Sequence, residues 1–390
     1  MGEWRKVRLG DCIKEINERT TENNQYQVLS VTKDGIFSQE EYFKKQIASE
    51  NNIGYKILRR NNLVFSTMNL WMGSIDVLTN YDIGIVSPAY KIFEFNENLM
   101  LPEYGNYFMK SYYMLEMYKF CSEQGASIVR RNLDLKQLLG IEINVPSIKQ
   151  QEKIAKVLKN VDSIIDKYER LLKNKEQFIK VQFVEMFKKY EMEEKTTLDE
   201  LSEFVTVGIA NSATHAYCND GVIMFRNQNI KENYLDDSDL IYINEEFANK
   251  YYSKKLKEND ILVTRTGYPG VACLVPKKYE NAQTFTTLIV RLKEDNKINN
   301  SYICNFINSE YGKQYVRENQ VGVAQQNFGA KALEKMPIIV PPVEEQNKFA
   351  EFVKLIDKQK FELEKIINNY KDLKKGLMQQ LLNGKITVKI

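Results

Sequence analysis

Two runs of the chain set arginine beside amide side chains, Arg130-Arg131-Asn132 and Arg226-Asn227-Gln228, and a third, Gln325-Gln326-Asn327, is made of amides alone. An arginine fork can pair with both acceptors on a guanine edge, and an asparagine or glutamine amide with adenine, so hydrogen bonding to base edges is the chemistry these types suggest. Arg265 and Thr266 ahead of Gly267-Tyr268 are further candidates, as are Ser66, Thr67, Asn69 and Trp71 in the matching stretch of the first half. Two other readings compete at each position. One is phosphate contact, which positions without specifying; the other is an amide that braces a loop.

Candidates for catalysis are missing. His215 is the single histidine, so every Ser-His-Asp, Cys-His or histidine-metal arrangement would have to use it. It lies in the polar run NSATHAYCND and reads as a surface residue. The five cysteines, Cys12, Cys121, Cys218, Cys273 and Cys304, are odd in number, scattered, and never spaced C-x-x-C, which argues against a disulfide framework and a thiolate metal site. There is no G-x-x-x-x-G-K-[ST] and no G-x-G-x-x-G after a strand. SPAY at Ser87 to Tyr90 is faintly like the proline-containing tetrapeptide of adenine methyltransferases, but it lacks the second proline and an upstream cofactor loop. IVSPAYKIF reads instead as a strand start with Pro88 at its edge. The expectation is no catalytic residue, no metal and no cofactor in this chain.

Composition permits two or three domains in 390 residues and gives 43% hydrophobic and 27% charged side chains. The mean hydropathy of −0.45 is that of an ordinary soluble protein. No apolar run approaches the roughly 20 residues of a membrane span, and MGEWRKVRLGDCIKEI has no signal-peptide core, so a cytoplasmic location without membrane association is expected. Fifty-five basic against 52 acidic residues leave +3. That is little for a nucleic-acid binder unless the positive charge gathers on one face.

The elements that must position the candidates repeat. VPSIKQQEKIAKVL (Val145 to Leu158) and VPPVEEQNKFAEFV (Val340 to Val353) share proline, glutamine and apolar spacing at an offset of 195 residues, half the chain. At the same offset Asn132 lies over Asn327 and Leu138 over Leu333. Further upstream the offset drifts to 198, setting NNLVFST at Asn61 over NDILVTR at Asn259. Four segments follow: a mixed domain over 1–145, a helix over 146–192, a second mixed domain over 193–340 and a second helix over 341–390. YQVLSVT, NLVFSTM and YKIFEFN in the first mixed domain, and GVIMFRN, ILVTRTG and TLIVRL in the second, read as short strands bounded by Asn, Asp or Gly.

Both helices show heptads. Phe349, Ile356, Leu363, Tyr370 and Leu377 recur every seven residues, with Phe352, Ile366 and Leu373 as the expected alternate seam. Ile154, Val161 and Tyr168 hold the same register in the first helix, joined by Val157, Ile164, Ile165, Leu171, Leu172 and Phe178. Lys175 and Gln182 interrupt that seam, as a polar residue does where it fixes register or partner. The prolines Pro146 and Pro341-Pro342 precede the helix starts, Glu152 and Glu344-Glu345 favour the N-terminal dipole, and Asn383-Gly384 is a natural stop. Helices of roughly 40 residues would each be about 60 Å long. Packed antiparallel, they would put the mixed domains at opposite ends of a rod. A coiled-coil scaffold whose two mixed domains bind proteins is an alternative these features leave open.

WRKVRLGDCI at the start, FRNQNI at Phe225, NDILVTRTG at Asn259, PPVEEQ at Pro341 and LMQQLLNGKI near the end occur in an order that resembles the specificity subunit of type I restriction-modification systems, over essentially the whole chain. The resemblance implies two target recognition domains of mixed α/β (α+β) fold, related by an internal pseudo-two-fold repeat. Each would read one part of a split double-stranded DNA sequence, the distance between the parts being set by two antiparallel coiled-coil helices. It further implies that the helices dock two modification subunits, which hold S-adenosylmethionine and methylate adenine, and that restriction subunits using ATP and Mg join them. The first copy of the proline motif departs from the pattern, with Ser147 for the second proline and Gln150 for the glutamate, so a looser exit from the first domain is expected.

Overall fold

Central strands made of apolar residues organise two compact units, one of Met1–Glu169 with Lys365–Ile390 and the other of Arg170–Glu364. The computed structural model describes residues 4–42, 51–124, 131–190, 195–294, 297–322 and 326–388. In the first unit Leu63–Ser66 is buried along its length and lies inside a four-stranded antiparallel sheet. The strand order is Ile13–Ile16, Tyr90–Phe95, Leu63–Ser66, Ile75–Val77. The second unit repeats this strand for strand: Ser202–Val207, Leu288–Leu292, Ile261–Val263, Ala272–Leu274. All six expected strand runs contain a strand. Pro88 falls in the turn that joins Ile83–Val86 to Tyr90–Phe95.

The flanking elements repeat as well. A strand pair closes each domain, Trp4–Arg8 with Glu142–Pro146 and Thr196–Thr197 with Pro337–Ile338. Two helices follow the sheet in each, Pro102–Met109 and Tyr112–Phe120 in one, Asn300–Asn308 and Glu310–Asn319 in the other. The halves diverge in their remaining strands. The first unit has the separate pairs Leu29–Thr32 with Gly35–Ser38 and Lys56–Arg59 with Ile83–Val86. The second has one further sheet of four, Tyr217–Cys218, Ile241–Ile243, Val222–Phe225 and Gln283–Thr284, with the last pairing parallel.

The long helices run Ile148–Tyr190 and Val343–Leu382, about 64 and 60 Å at 1.5 Å per residue. The second stops at Leu382. Gly384 then takes φ +69° against the Trp4 ring, where a Cβ would come within 2.9 Å of ring carbons. Within each unit the two helices pack antiparallel. In the first unit Tyr168 stacks on Tyr370, Lys371 pairs with Glu169 and Lys374 with Asp162. In the second, Lys175 donates to Gln359 at 2.5 Å, Phe178 meets Phe352 edge-on and Phe183 meets Phe349.

Ile154, Val161, Phe349, Ile356 and Leu363 are buried, with Tyr168, Tyr370 and Leu377 half-buried. The alternate seam differs from the expectation. It falls four residues after the first, on the buried Val353, Ile367 and Leu381, whereas Leu373 is 49% exposed and Phe352 and Ile366 are half-buried. The first helix behaves alike, with Leu158 and Ile165 buried and Leu171 and Phe178 exposed. A mean spacing of 3.5 residues alternates three and four, and hydrophobic residues stand at both options. Lys175 does occupy the seam, while Gln182 turns along its own helix to Glu185.

The glutamine of each repeated motif has one and the same role. Gln151 is wholly buried; its Oε1 accepts from the Leu101 amide at 2.9 Å, and its Nε2 donates to the carbonyls of Leu99 and Pro146 at 2.8 and 3.0 Å. Gln346, also wholly buried, accepts from the Asn299 amide at 3.0 Å and donates to Lys297 and Pro341 at 3.0 and 2.7 Å. Ser147 takes the place of Pro342, and the two carbonyls accept from the same pair of amides that open each helix. The exit from the first domain is thus held by the same bonds as the second, and the expected looseness is not found.

A second pair of bolts is set 195 residues apart. Asp162 on the first helix accepts from the Tyr107 hydroxyl at 2.8 Å, and burial followed by that bond pushes the phenol pKa up. Asp357 on the second accepts from Asn233 Nδ2 at 3.0 Å, and Asn233 also donates to Asn305 and accepts from Asn308. Burial is the largest influence on Asp357 and raises its pKa, outweighing Asn233 and Lys360.

Replacing Gln151 or Gln346 by alanine removes three bonds and strands buried backbone groups, so each variant should lose roughly 2–4 kcal/mol, read as a lowered melting temperature. A loss no larger than that of an exposed glutamine would contradict the clamp. For Asp357 the folded state binds its proton more tightly than the unfolded chain does. Its stabilising contribution is therefore full below the unfolded pKa of about 4 and is lost as pH rises through the raised folded value. Asp357→Asn should melt above the native protein at pH 7, the gap closing as pH falls through the raised folded value to about 4; a variant less stable by the same margin at every pH would refute this.

Candidate nucleic-acid interface

Hairpin connections of the two equivalent sheets carry the candidates. In the first unit Ser66 ends the central strand and is buried, and Thr67, Asn69 and Trp71 follow it, half-buried, into the short helical turn Leu70–Met72. The backbone turns back through Gly73 at φ +87°. Arg131 and Asn132 lie in the strand Arg131–Leu133, paired to Ser122–Gln124. That strand passes beside the hairpin: the Arg131 amide donates to the Met68 carbonyl at 3.3 Å and its guanidinium lies 4.3 Å from the Trp71 ring centroid. Arg131 Nε is buried there without a hydrogen-bond partner, and Asn132 is exposed. Arg130 lies outside the described residues.

The second unit brings three candidate runs together. Arg265, Thr266 and Tyr268 occupy the connection between Ile261–Val263 and Ala272–Leu274, with Gly267 at φ +81° and Tyr268 87% exposed at the tip. Asn327 bridges to Thr266, its Oδ1 accepts from Arg265 Nε at 3.0 Å, and the Phe328 amide donates to the Arg265 carbonyl at 2.9 Å. Gln326 beside it is exposed, and Gln325 lies outside the described residues. The segments holding Asn132 and Asn327 therefore flank corresponding hairpins in the two units.

Arg226, Asn227 and Gln228 join the second site from the end of the strand Val222–Phe225. Asn227 Oδ1 accepts from the Arg265 amide at 3.0 Å, and its Nδ2 donates to Thr266 and Thr286 hydroxyls at 3.0 and 3.4 Å. Asn227 is thus a loop-bracing amide. Thr286, which sequence reasoning missed, sits at φ +56°, a conformation that costs a β-branched residue about 1–3 kcal/mol and gathers at functional sites. Arg226, Gln228, Lys231, Thr266, Tyr268 and Thr286 line an open groove of about 620 Å³.

Asp239 is the other residue the sequence did not mark, because Asp236-Asp237-Ser238-Asp239 reads as a solvated acidic loop. Its Oδ2 accepts from Arg226 Nη2 at 2.8 Å and Gln228 Nε2 at 2.7 Å, and its carbonyl accepts from Arg226 and Asn229. Hydrogen bonds from Ser238 hold Asp236 below the usual carboxylate range, and Tyr279 and Lys278 do so for Asp237. Both carboxylates beside this edge are charged at neutral pH.

Among the described residues no cluster of His, Cys, Asp or Glu is placed to hold a metal, and no helix is long and apolar enough to cross a membrane. His215 is exposed, edge-on to Phe247. The five cysteines are free; burial raises the pKa of Cys12 to about 11 and that of Cys273 well above the ordinary value.

Comparison with known proteins points one way. The family described as "Type I restriction modification DNA specificity domain" matches residues 1–176 and again 190–370. The type I restriction enzyme MjaVIII specificity subunit of Methanocaldococcus jannaschii is 26% identical, covering 99% of this chain and 94% of its own. The putative type I restriction enzyme MjaX specificity subunit of the same organism is 23% identical over 75% and 70%. A chain from a structure of complex assembly and conformational transition of the type I R-M system superposes with a TM-score of 0.58 at 14% identity, covering 99% of this chain and 98% of that one. The type I restriction-modification system S subunit from M. genitalium gives 0.51 at 12% identity over 100% and 97%. At these identities the solved structures speak for the fold alone.

Proposed function

The chain belongs to the type I restriction modification DNA specificity family, whose role is recognition rather than catalysis, and on that premise we propose that its two mixed domains each read one part of a split double-stranded DNA site. The observation that carries this reading is the corresponding placement of candidate loops in both units. Ser66 to Trp71 lies with Arg131 in one, and Arg265 to Tyr268 with Asn327 in the other. Asn132 is exposed next to Arg131, and Gln326 and Tyr268 are exposed on the segments that Asn327 and Arg265 join. These exposed groups suit base edges, with phosphate contacts from neighbouring lysines and backbone setting the register.

The helices act as the ruler between the two half-sites in this reading. They also dock two modification subunits that carry S-adenosylmethionine, with restriction subunits beyond them, in the cytoplasm. Leu171, Phe178 and Val181 support the docking. They lie on one side of the first helix and remain 41–48% exposed, although Phe178 touches Phe352. A protein-binding scaffold would give no reason for the matched arginine-bearing loops.

Deleting the gene and sequencing the genome by a single-molecule method that detects N6-methyladenine should abolish methylation at one split motif of fixed spacing, and restoring the gene should return it. An unchanged methylation pattern in a strain that expresses the chain with its partner subunits would contradict the assignment.

A further inference from the structure

We propose that Asp239 is a positioning residue that sets the base preference of the second domain by holding Arg226 and Gln228 in one fixed arrangement. The inference rests on the DNA-reading role above and narrows it to a single carboxylate outside the runs that pattern alone would select. One oxygen, Oδ2, takes a charge-assisted bond from Arg226 and a second bond from Gln228. The backbone carbonyl of the same residue takes Arg226 again and the Asn229 amide group, and Asn229 Oδ1 accepts from the Arg226 backbone amide. Arginine and glutamine are thus fixed from one side, their free rotation replaced by a shared anchor. A guanidinium discriminates between bases best when its plane and direction are set before the base arrives, and the two bonds from Nη2 to Asp239 set both.

The charges nearby separate base reading from phosphate neutralisation. Asp239 is paired directly to Arg226, and Asp236 and Asp237, both held ionised by their hydrogen bonds, lie beside it. A phosphate approaching Asp239 would meet carboxylates, whereas an uncharged base edge would meet the groups of Arg226 and Gln228 that Asp239 leaves uncommitted. The side chain of Asp239 is 68% exposed, so it can be altered without opening the core.

The test is the methylation motif of the deletion strain complemented with native, Asp239→Ala or Asp239→Asn genes. Asp239→Ala should still methylate the native motif but accept other bases at one or two neighbouring positions of one half only. That raises the number of methylated sites about fourfold for each position fully relaxed, since four base pairs are then allowed. Asp239→Asn keeps an acceptor in place and should relax the same position less. A motif as strict with Asp239→Ala as with the native gene would overturn the proposal. So would loss of all motif-directed methylation in a variant that melts at the native temperature, because that would make Asp239 a binding group instead of a positioning one. If the native gene itself restores no motif, the DNA-reading role fails, and this proposal with it.

Discussion

One wholly buried glutamine in each half, held by three backbone hydrogen bonds, governs how the rest of this molecule can be arranged. The chain leaves the closing strand of each mixed domain at a proline and must enter a helix of 40 residues or more. Proline donates no hydrogen bond, and the loop ahead of the neighbouring domain helix has its own unpaired amide and carbonyl. A glutamine satisfies both sides at once because it carries an acceptor and two donors on one rigid amide. Its position relative to the proline is therefore fixed by geometry, and the surrounding residues can change. The substitutions at Ser147 and Gln150 left the clamp unaltered for that reason. The aspartates Asp162 and Asp357 add a second fixed point on the same helices, one through a tyrosine and the other through an asparagine network.

On this framework the candidate reading surfaces differ while their supports stay constant. In both units a strand of the central sheet delivers a hairpin, and a later segment runs alongside it. The first unit braces its arginine by stacking on Trp71; the second ties Arg265 to Asn327 and Asn227, and Arg226 to Asp239. The strained backbone at Thr286 lies within this second network. Such a division, with a shared core and differing loops in the two halves, sets the candidate side chains on loops held by a rigid scaffold, where binding residues gather.

Much of the architecture was legible because it rests on local periodicity. Six short apolar runs became strands, the paired prolines marked the helix starts, and the 195-residue offset revealed the duplication. The alternate seam was misjudged because Phe352, Ile366 and Leu373 stand one residue from or near the buried series, and an average of 3.5 cannot choose between them. The site was legible by type but not by role. Asn227 has the composition of a base reader yet faces inward to three partners, and Asp239 gave no local signal because its two donors come from 11 and 13 residues away. Each compact unit holds part of both long helices. Antiparallel packing gives each mixed domain the start of one helix and the end of the other.

The central claim is that the paired helices set the separation of two independently read half-sites. The direct test removes one heptad from each, residues 169–175 and 361–367, which preserves the seam register, and then determines the methylated motif. The account predicts unchanged half-sites with a spacer shorter by about 3 base pairs, since seven helical residues span about 10 Å and a base step about 3.4 Å. An unaltered spacer in a complex that still methylates would contradict it.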